Sequence, residues 1–197
     1  MAVTSFEDLF VNELRDIYSA EKQLTRALPR MAKAAKHPEL REALESHLEE
    51  TRGQVERLDQ VFEQLDLPKR AKKCEAMEGL IEEARATMEE LDDGALLDVG
   101  MIISAQKVEH YEIAGYGSLV ALARQLGHAD AAGLLAATLD EEKAADQKLN
   151  KIAASVNAEA AGGCRGLAAR RHRHLGLSDC RLVRPAPGRG GARCGIM

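Results

Sequence analysis

Three glutamates lie in the middle of apolar helical stripes, where an ionised side chain is out of place. Glu21, Glu109 and Glu142 each have mostly apolar neighbours at helical spacing on the same face. These neighbours are Leu14, Ile17, Leu24 and Leu28; Ile102, Ala105, Ile113 and Tyr116; and Leu135, Thr138, Ala145 and Leu149. Because burying a lone carboxylate costs many kcal/mol, each must be paired, protonated or bound to a cation. Carboxylates that converge from several helices predict a metal site inside a helical bundle.

The hydrophobic pattern predicts helices and no strands. The predicted helices cover about residues 6–28, 38–65, 74–91, 95–126 and 129–158. Ser5 is expected to cap the first helix, and Pro38 suits the first position of the second. Pro29 is expected to break or kink the first helix, with one or two further turns up to Lys36.

Two pairs of long helices are separated by a long link that contains the short helix 74–91. This order is typical of a four-helix bundle with one crossover, because the link must travel the length of the bundle. A helix of ~27 residues is about 40 Å long, and the short helix with its loops can span that distance. The fold class predicted is therefore all-α, with residues 1–160 as the bundle domain.

Composition and charge exclude several classes of protein. Hydrophobic residues make up 45% of the 197 residues, but aromatic residues only 3%, which favours helices packed through Ala and Leu over sheets or base-stacking surfaces. Residues 1–160 hold 31 of the 32 acidic residues, so nucleic acid is not an expected partner. No apolar run is long enough for a membrane span and no secretory signal is visible, so a cytoplasmic location is expected.

Residues 161–197 differ in composition from the rest of the chain. They contain eight Arg, no Lys and three of the four Cys, and they are rich in Gly and Pro. This composition predicts a disordered basic tail. The abrupt change also fits translation of a displaced reading frame in a GC-rich gene.

Six segments in order give the chain a family resemblance. They are YSAEKQ (18–23), ALPRMA (27–32), HLEET (47–51), CEAMEGL (74–80), QKVEHYE (106–112) and LDEE (139–142) followed by Asp146. Together they resemble the YciE/YciF family of bacterial stress-response proteins over about residues 5–158. The resemblance implies a ferritin-like four-helix bundle that is usually a homodimer and holds a dimetal centre. Leu134, Leu135 and Leu139 offer a second apolar edge that could support such a dimer.

The resemblance extends the set of candidate metal ligands to seven. They are Glu21, His47, Glu50, Glu109, Glu112, Glu142 and Asp146. Ferritin-like sites usually draw Glu-x-x-His from two helices. Here Gly53 and Ala145 occupy the expected histidine positions, and the second helix offers His47-x-x-Glu50 instead. His47 fits a ligand and a structural histidine equally well, and Glu50 lies to one side of its stripe. A set rich in carboxylates suits two Fe or Mn ions better than structural zinc.

Two classes of function are compatible with these residues. In the first, the protein is a metal-binding stress protein and, if it is an enzyme, oxidises Fe(II) or reduces peroxide or oxygen. In the second, it is a bundle without enzymatic activity that acts through protein contacts and keeps its inner carboxylates in ion pairs or shared-proton networks. A storage cage is a weaker third option.

Overall fold

The computed structural model describes the backbone of residues 3–91 and 94–174, and the side chains of residues 3–91 and 94–162. Five helices follow one another, and no strand occurs within these ranges. They are α1 (Phe6–Ala34), α2 (Pro38–Gln64), α3 (Glu75–Glu90), α4 (Ala95–Gln125) and α5 (Ala129–His174). The predicted all-helical fold class is confirmed. Among the described residues, no helix combines the length and apolarity needed to cross a membrane.

The predicted helix starts are confirmed by their caps. The Ser5 hydroxyl accepts from the Asp8 amide at 3.0 Å and the Asp8 carboxylate accepts from the Ser5 amide at 3.1 Å, which forms a capping box. Pro38 occupies the first turn of α2.

Of the two alternatives expected at Pro29, the break is wrong, since α1 continues through it to Ala34, while the kink stays a prediction. Proline in a helix interior costs about 3 kcal/mol because one backbone hydrogen bond is lost. Leu28, Met31 and Ala32 on either side of it are buried. Burying one large apolar side chain contributes about 1.5–3 kcal/mol, so packing of the flanking residues offsets the cost of the proline.

The predicted end of the last helix near Ala158 is also wrong. α5 is helical as far as His174, so the predicted tail of 161–197 begins inside a helix. The prediction relied on the low helix propensity of the glycines in this segment. The segment after Ala158 also contains many Ala and Arg residues, whose high helix propensity outweighs the effect of the glycines. Residues 175–197 lie outside the described residues, and their disorder stays a prediction.

The four long helices form a closed antiparallel arrangement in residues 3–162. Hydrogen bonds join α1 to α2 (Tyr18–Asp59), α2 to α5 (Arg57–Glu141), α5 to α4 (Asn150–Gln106) and α4 to α1 (Tyr116–Glu21). The link between α2 and α4 runs back along the bundle, as predicted. It is held against α1 where the amide of Cys74 donates to the Ser19 hydroxyl at 3.1 Å and that of Lys72 to the Arg15 carbonyl at 3.1 Å.

α3 lies tightly against α4. A Cβ atom placed on Gly100 would meet Leu91 Cδ1 at 2.5 Å and Thr87 Cγ2 at 2.7 Å, so glycine permits the close approach. α4 is therefore covered by α3 as well as by α1 and α5. This third contact buries a wide arc of its surface rather than one narrow stripe.

The core occupies the space between the four long helices. Its largest fully buried side chains include Phe10, Phe62, Leu119 and Tyr116. Leu135 is buried in this core, so it is not part of an outer edge as predicted; Leu134 and Leu139 are partly buried beside it. The apolar positions of α5 point inwards because α2 and α4 both pack against that helix.

Asp98 joins the start of α4 to the turn between α1 and α2. Its carboxylate is buried and accepts from the amides of Lys36 and His37, both at 2.8 Å. Hydrogen bonds to a charged acceptor contribute about 1.5–3 kcal/mol each. We expect Asp98→Asn to lower the free energy of unfolding by about 2–3 kcal/mol, because one amide would then face an NH₂ group. Urea denaturation measures this, with exposed Asp130→Asn as the control; equal loss in both variants would contradict the assigned role.

Candidate metal centre

The four long helices each bring at least one predicted ligand to the interior. α1 supplies Glu21, α2 supplies His47, α4 supplies Glu109 and Glu112, and α5 supplies Glu142. All five side chains are buried. The burial predicted for Glu21, Glu109 and Glu142 is confirmed, and Glu112, which the helical angle places at the margin of its stripe, is as deeply buried as the others.

His47, Glu109, Glu112 and Glu142 form the tightest group, here called the inner cluster. Each offers one ligand atom, and all four atoms lie within 4.8 Å of one another. Opposite ligands of an ion bound at about 2.1 Å are about 4.2 Å apart. Side-chain shifts of a few tenths of an ångström would therefore bring these atoms to coordination distance of one ion.

The carboxylates of the site lack the partners that buried anions need. Six of their oxygens are buried and accept no hydrogen bond from any described residue: Glu21 Oε2, Glu109 Oε2, both oxygens of Glu112 and both oxygens of Glu142. Unsatisfied buried acceptors are rare in folded proteins. These carboxylate oxygens therefore fit a site that binds a cation better than they fit an ordinary hydrogen-bonded core.

Burial makes these carboxyl groups hold protons when no cation is present. Loss of solvation raises the pKa of Glu21 to about 7, of Glu109 to about 8 and of Glu142 to about 7, and it raises the pKa of Glu112 well above the ordinary value. Neighbouring carboxylates raise these pKa values further. The site thus exchanges protons near neutral pH, where metal ions would compete with them.

His47 is the positively charged member of the inner cluster. Its Nε2 lies 3.3 Å from Glu109 Oε1, and its Nδ1 lies 3.5 Å from Glu50 Oε2. Burial lowers the pKa of His47, but the contact with Glu50 and the charges of Glu109 and Glu142 outweigh burial and raise that pKa to about 9. An imidazolium therefore balances part of the negative charge, and it must lose its proton before it can bind a metal.

Glu21 lies beside the inner cluster and is held by a tyrosine. The Tyr116 hydroxyl donates a short hydrogen bond to Glu21 Oε1, and the phenol is fully buried. The other oxygen of Glu21 has no donor. Tyr116 was not predicted to have this role. The sequence did contain one indication of this role: Tyr116 lies seven residues after Glu109, on the same face of α4.

Glu50 and Asp146 lie at the edge of the site. The Glu50 side chain is 44% exposed, and its pKa is lowered chiefly by its contact with His47 and more weakly by the charge of Lys148. The Asp146 side chain is 16% exposed, lies 3.6 Å from His110 Nε2 and accepts from the Asn150 amide at 3.0 Å. Neither belongs to the inner cluster.

A polar group between α2 and α5 closes one side of the site. Arg57 forms a bidentate ion pair with Glu141 at 2.7 and 2.9 Å and donates to Thr138 at 2.6 Å. Gln54 donates to Glu141 at 3.2 Å, while its own carbonyl oxygen is buried without a donor. Helical spacing places Glu141 nearer the edge of its stripe than Glu142, but it does not identify the partner of Glu141 on α2.

Comparison with known proteins agrees with the resemblance. The chain is 52% identical over 154 residues to the protein YciF of Escherichia coli K12. This match covers 78% of this chain and 93% of YciF. The crystal structure of the E. coli stress protein YciF matches with a TM-score of 0.76 at 51% identity, covering 79% of this chain and 98% of that one. The Rhodopseudomonas palustris protein YcfI matches with a TM-score of 0.74 at 50% identity, covering 75% of this chain and 94% of that one.

The family model for DUF892, a domain of unknown function, matches residues 5–161. These residues include the four long helices up to the last turns of α5 and all seven candidate ligands. The match, together with the 52% identity to YciF, establishes that this chain belongs to the DUF892 family of YciF-like proteins.

Proposed function

We propose that the protein binds two transition-metal ions, Fe or Mn, within the bundle and serves in a stress response, as its similarity to the E. coli stress protein suggests. The observation that carries the proposal is the set of six buried carboxylate oxygens without a hydrogen-bond donor. A core of this kind is costly unless cations are bound. Carboxylate oxygens with one imidazole are ligands that suit Fe and Mn.

The inner cluster would hold one ion, and the second would use ligands beside it. Glu50 contacts His47 at 3.5 Å and Glu21 lies within the electrostatic influence of Glu109, so these two are the candidates for ligands of the second ion. Tyr116 orients Glu21 and leaves one of its oxygens free. Asp146 is the most peripheral of the seven candidates, and it would act on the site through its charge, which contributes to the raised pKa of Glu109.

Bound iron or manganese would supply one-electron redox chemistry, which suits oxidation of Fe(II) or reduction of peroxide or oxygen. The residues of the chain would position the ions, exclude bulk water and exchange protons. Burial leaves Glu109 with a pKa of about 8, so it can hold or release a proton near neutral pH. The absence of Glu-x-x-His leaves few neutral ligands, which favours metal binding over strong oxygen activation.

Metal content is the direct test of this proposal. Protein purified without chelator is expected to contain close to two Fe or Mn ions per chain, and protein stripped of metal is expected to take up the same number on titration. Elemental analysis and calorimetric titration measure both quantities. Ferroxidase and peroxidase assays on the loaded protein then test for enzymatic activity. Wild-type protein that binds neither metal stoichiometrically would falsify the proposal.

A second candidate function is a bundle without metal that acts through protein contacts. The His47–Glu109 ion pair at 3.3 Å favours it, because it partly neutralises the site without a metal. The double variant Glu21→Leu/Glu109→Leu separates the two functions. Marked stabilisation, together with wild-type stability that is insensitive to metal, supports the second function. Wild-type stability that rises with added metal supports the first.

A further inference from the structure

A narrow opening leads from the protein surface to the inner cluster. Its walls come from three helices and include Ala43, Leu44, His47, Glu50, Glu109, Ala145, Lys148 and Leu149. His47 and Glu109 are buried, whereas Glu50 and Lys148 are exposed. The opening therefore joins the buried ligands to solvent along the face where α2 and α5 meet.

The size of the opening restricts what can pass through it. Its volume is about 20 Å³, and about 10–15 Å³ of such volume holds one water molecule. A metal ion with its full hydration shell is too large for this space. An ion on this route must exchange its water molecules for protein ligands as it passes.

The charges along the opening are ordered from the surface inwards. Glu50 is 44% exposed and touches His47, which in turn lies 3.3 Å from Glu109. A cation captured by Glu50 would thus meet the His47 side chain next and then the buried Glu109 carboxylate. Lys148 brings a positive charge to the same opening, which opposes the approach of a cation.

We propose that this opening is the entry route for divalent transition-metal ions, with Glu50 as the capturing ligand and Ala145 and Lys148 as the residues that limit the rate of entry. The inference rests on the proposed metal-binding function and adds the route by which the site is loaded. Ala145 limits entry by the width that its small side chain leaves, and Lys148 limits it by its charge.

The first test narrows the opening. Metal-free full-length protein is mixed with Co²⁺ in a stopped-flow instrument, and the visible absorbance of bound Co²⁺ is followed. Ala145→Leu is expected to slow binding by about tenfold or more, because the larger side chain would leave too little space in the opening for one water molecule. Removal of bound Co²⁺ by a chelator should slow by the same factor, so the equilibrium affinity stays unchanged. The matched control is Ala144→Leu on the neighbouring, exposed position, which should bind at the wild-type rate.

The second test reverses the charge at the opening. Lys148→Glu is expected to speed Co²⁺ binding several-fold at low salt, with the difference lost at high salt. Lys143→Glu makes the same change in net charge, but five residues earlier it points about 140° away around the helix. Its binding rate should stay near that of the wild type. Because Lys148 is exposed, this test remains decisive if Ala145→Leu does not fold.

The results of these tests distinguish failure of the proposed entry route from failure of the proposed metal-binding function. If wild-type protein binds Co²⁺ stoichiometrically but Ala145→Leu and Ala144→Leu bind at equal rates, the route is overturned and the metal site stands. The same holds if the two lysine variants behave alike. If Co²⁺, Mn²⁺ and Fe²⁺ all fail to bind the wild type, both the function and the route are overturned.

Discussion

Metal-free protein is expected to lose stability as the pH rises from about 5 to about 9, while metal-loaded protein keeps its stability over this range. Burial raises the pKa values of Glu21, Glu109 and Glu142 to about 7, about 8 and about 7, from an ordinary value of 4.5. Above about pH 4.5 the folded state therefore binds more protons than the unfolded chain, so its stability falls as the pH passes through the folded values.

His47 acts in the same direction as these carboxyl groups. Its pKa is raised from 6.5 to about 9, since contacts with Glu50 and Glu109 outweigh the opposing effect of burial. The stability that its charge contributes is complete below about pH 6.5 and is lost as the pH rises through about 9. Loss of the imidazolium at high pH then leaves the inner carboxylates without a counter-charge.

The expected change is large enough to measure easily. One carboxyl group with a pKa raised by two to three units contributes on the order of 3 kcal/mol, and the coupled groups together contribute several kcal/mol. Urea denaturation at a series of pH values, with and without Mn²⁺, gives the two curves. A metal-free curve that stays flat between about pH 5 and about pH 9 would contradict the burial of ionisable groups on which the site depends.

The double variant Glu109→Gln/Glu142→Gln is expected to weaken metal binding by more than about a hundredfold, since loss of even an outer partner of a ligand costs about 10- to 100-fold. Without metal, the same variant is expected to be more stable than the wild type at pH 8. An amide has nearly the shape of a protonated carboxyl group but does not ionise, so two of the repelling charges disappear. Calorimetric titration measures the affinity, and urea denaturation measures the stability.

A matched pair of exposed residues controls for the change in net charge. Glu45→Gln/Glu90→Gln removes two charges from the surface and should leave metal affinity and pH dependence as in the wild type. If the inner variant binds Mn²⁺ as tightly as this control, the two carboxylates are not ligands. If it is also no more stable than the wild type at pH 8, their repulsion in the metal-free core is refuted.

Helical spacing is sufficient to find three of the five buried side chains of the candidate site. A carboxylate in a continuous apolar stripe must be buried wherever the bundle closes, and the spacing of apolar residues alone identifies Glu21, Glu109 and Glu142 in this way. Glu112 lies at the margin of its stripe. It is buried because it faces the space between the four long helices, where one of its oxygens lies within 4.8 Å of a ligand atom of His47 and of Glu142. That direction depends on how α4 is rotated against its neighbours, which the helical period does not specify.

Pairings between distant residues could not be obtained in the same way. Tyr116 and Glu21 are 95 positions apart, and Arg57 and Glu141 are 84 apart. Such contacts depend on the relative rotation and axial offset of two helices, which a single sequence does not specify. A break at Pro29 and a helix end near Ala158 are excluded for a related reason. Propensity describes a local preference, whereas packing and neighbouring residues decide whether the helix continues.

The distribution of ligands over all four long helices has a consequence for biogenesis. Glu21 lies near the beginning of the chain and Glu142 is 121 positions later, so no partial chain on the ribosome contains the whole set before α5 emerges. The α4–α5 hairpin brings Glu109, Glu112 and Glu142 together, but Glu21 and His47 join them only when α1 and α2 pack against it. The full candidate set is therefore complete only in the assembled bundle, and an ion that used all of it would tie the first helix of the chain to the last.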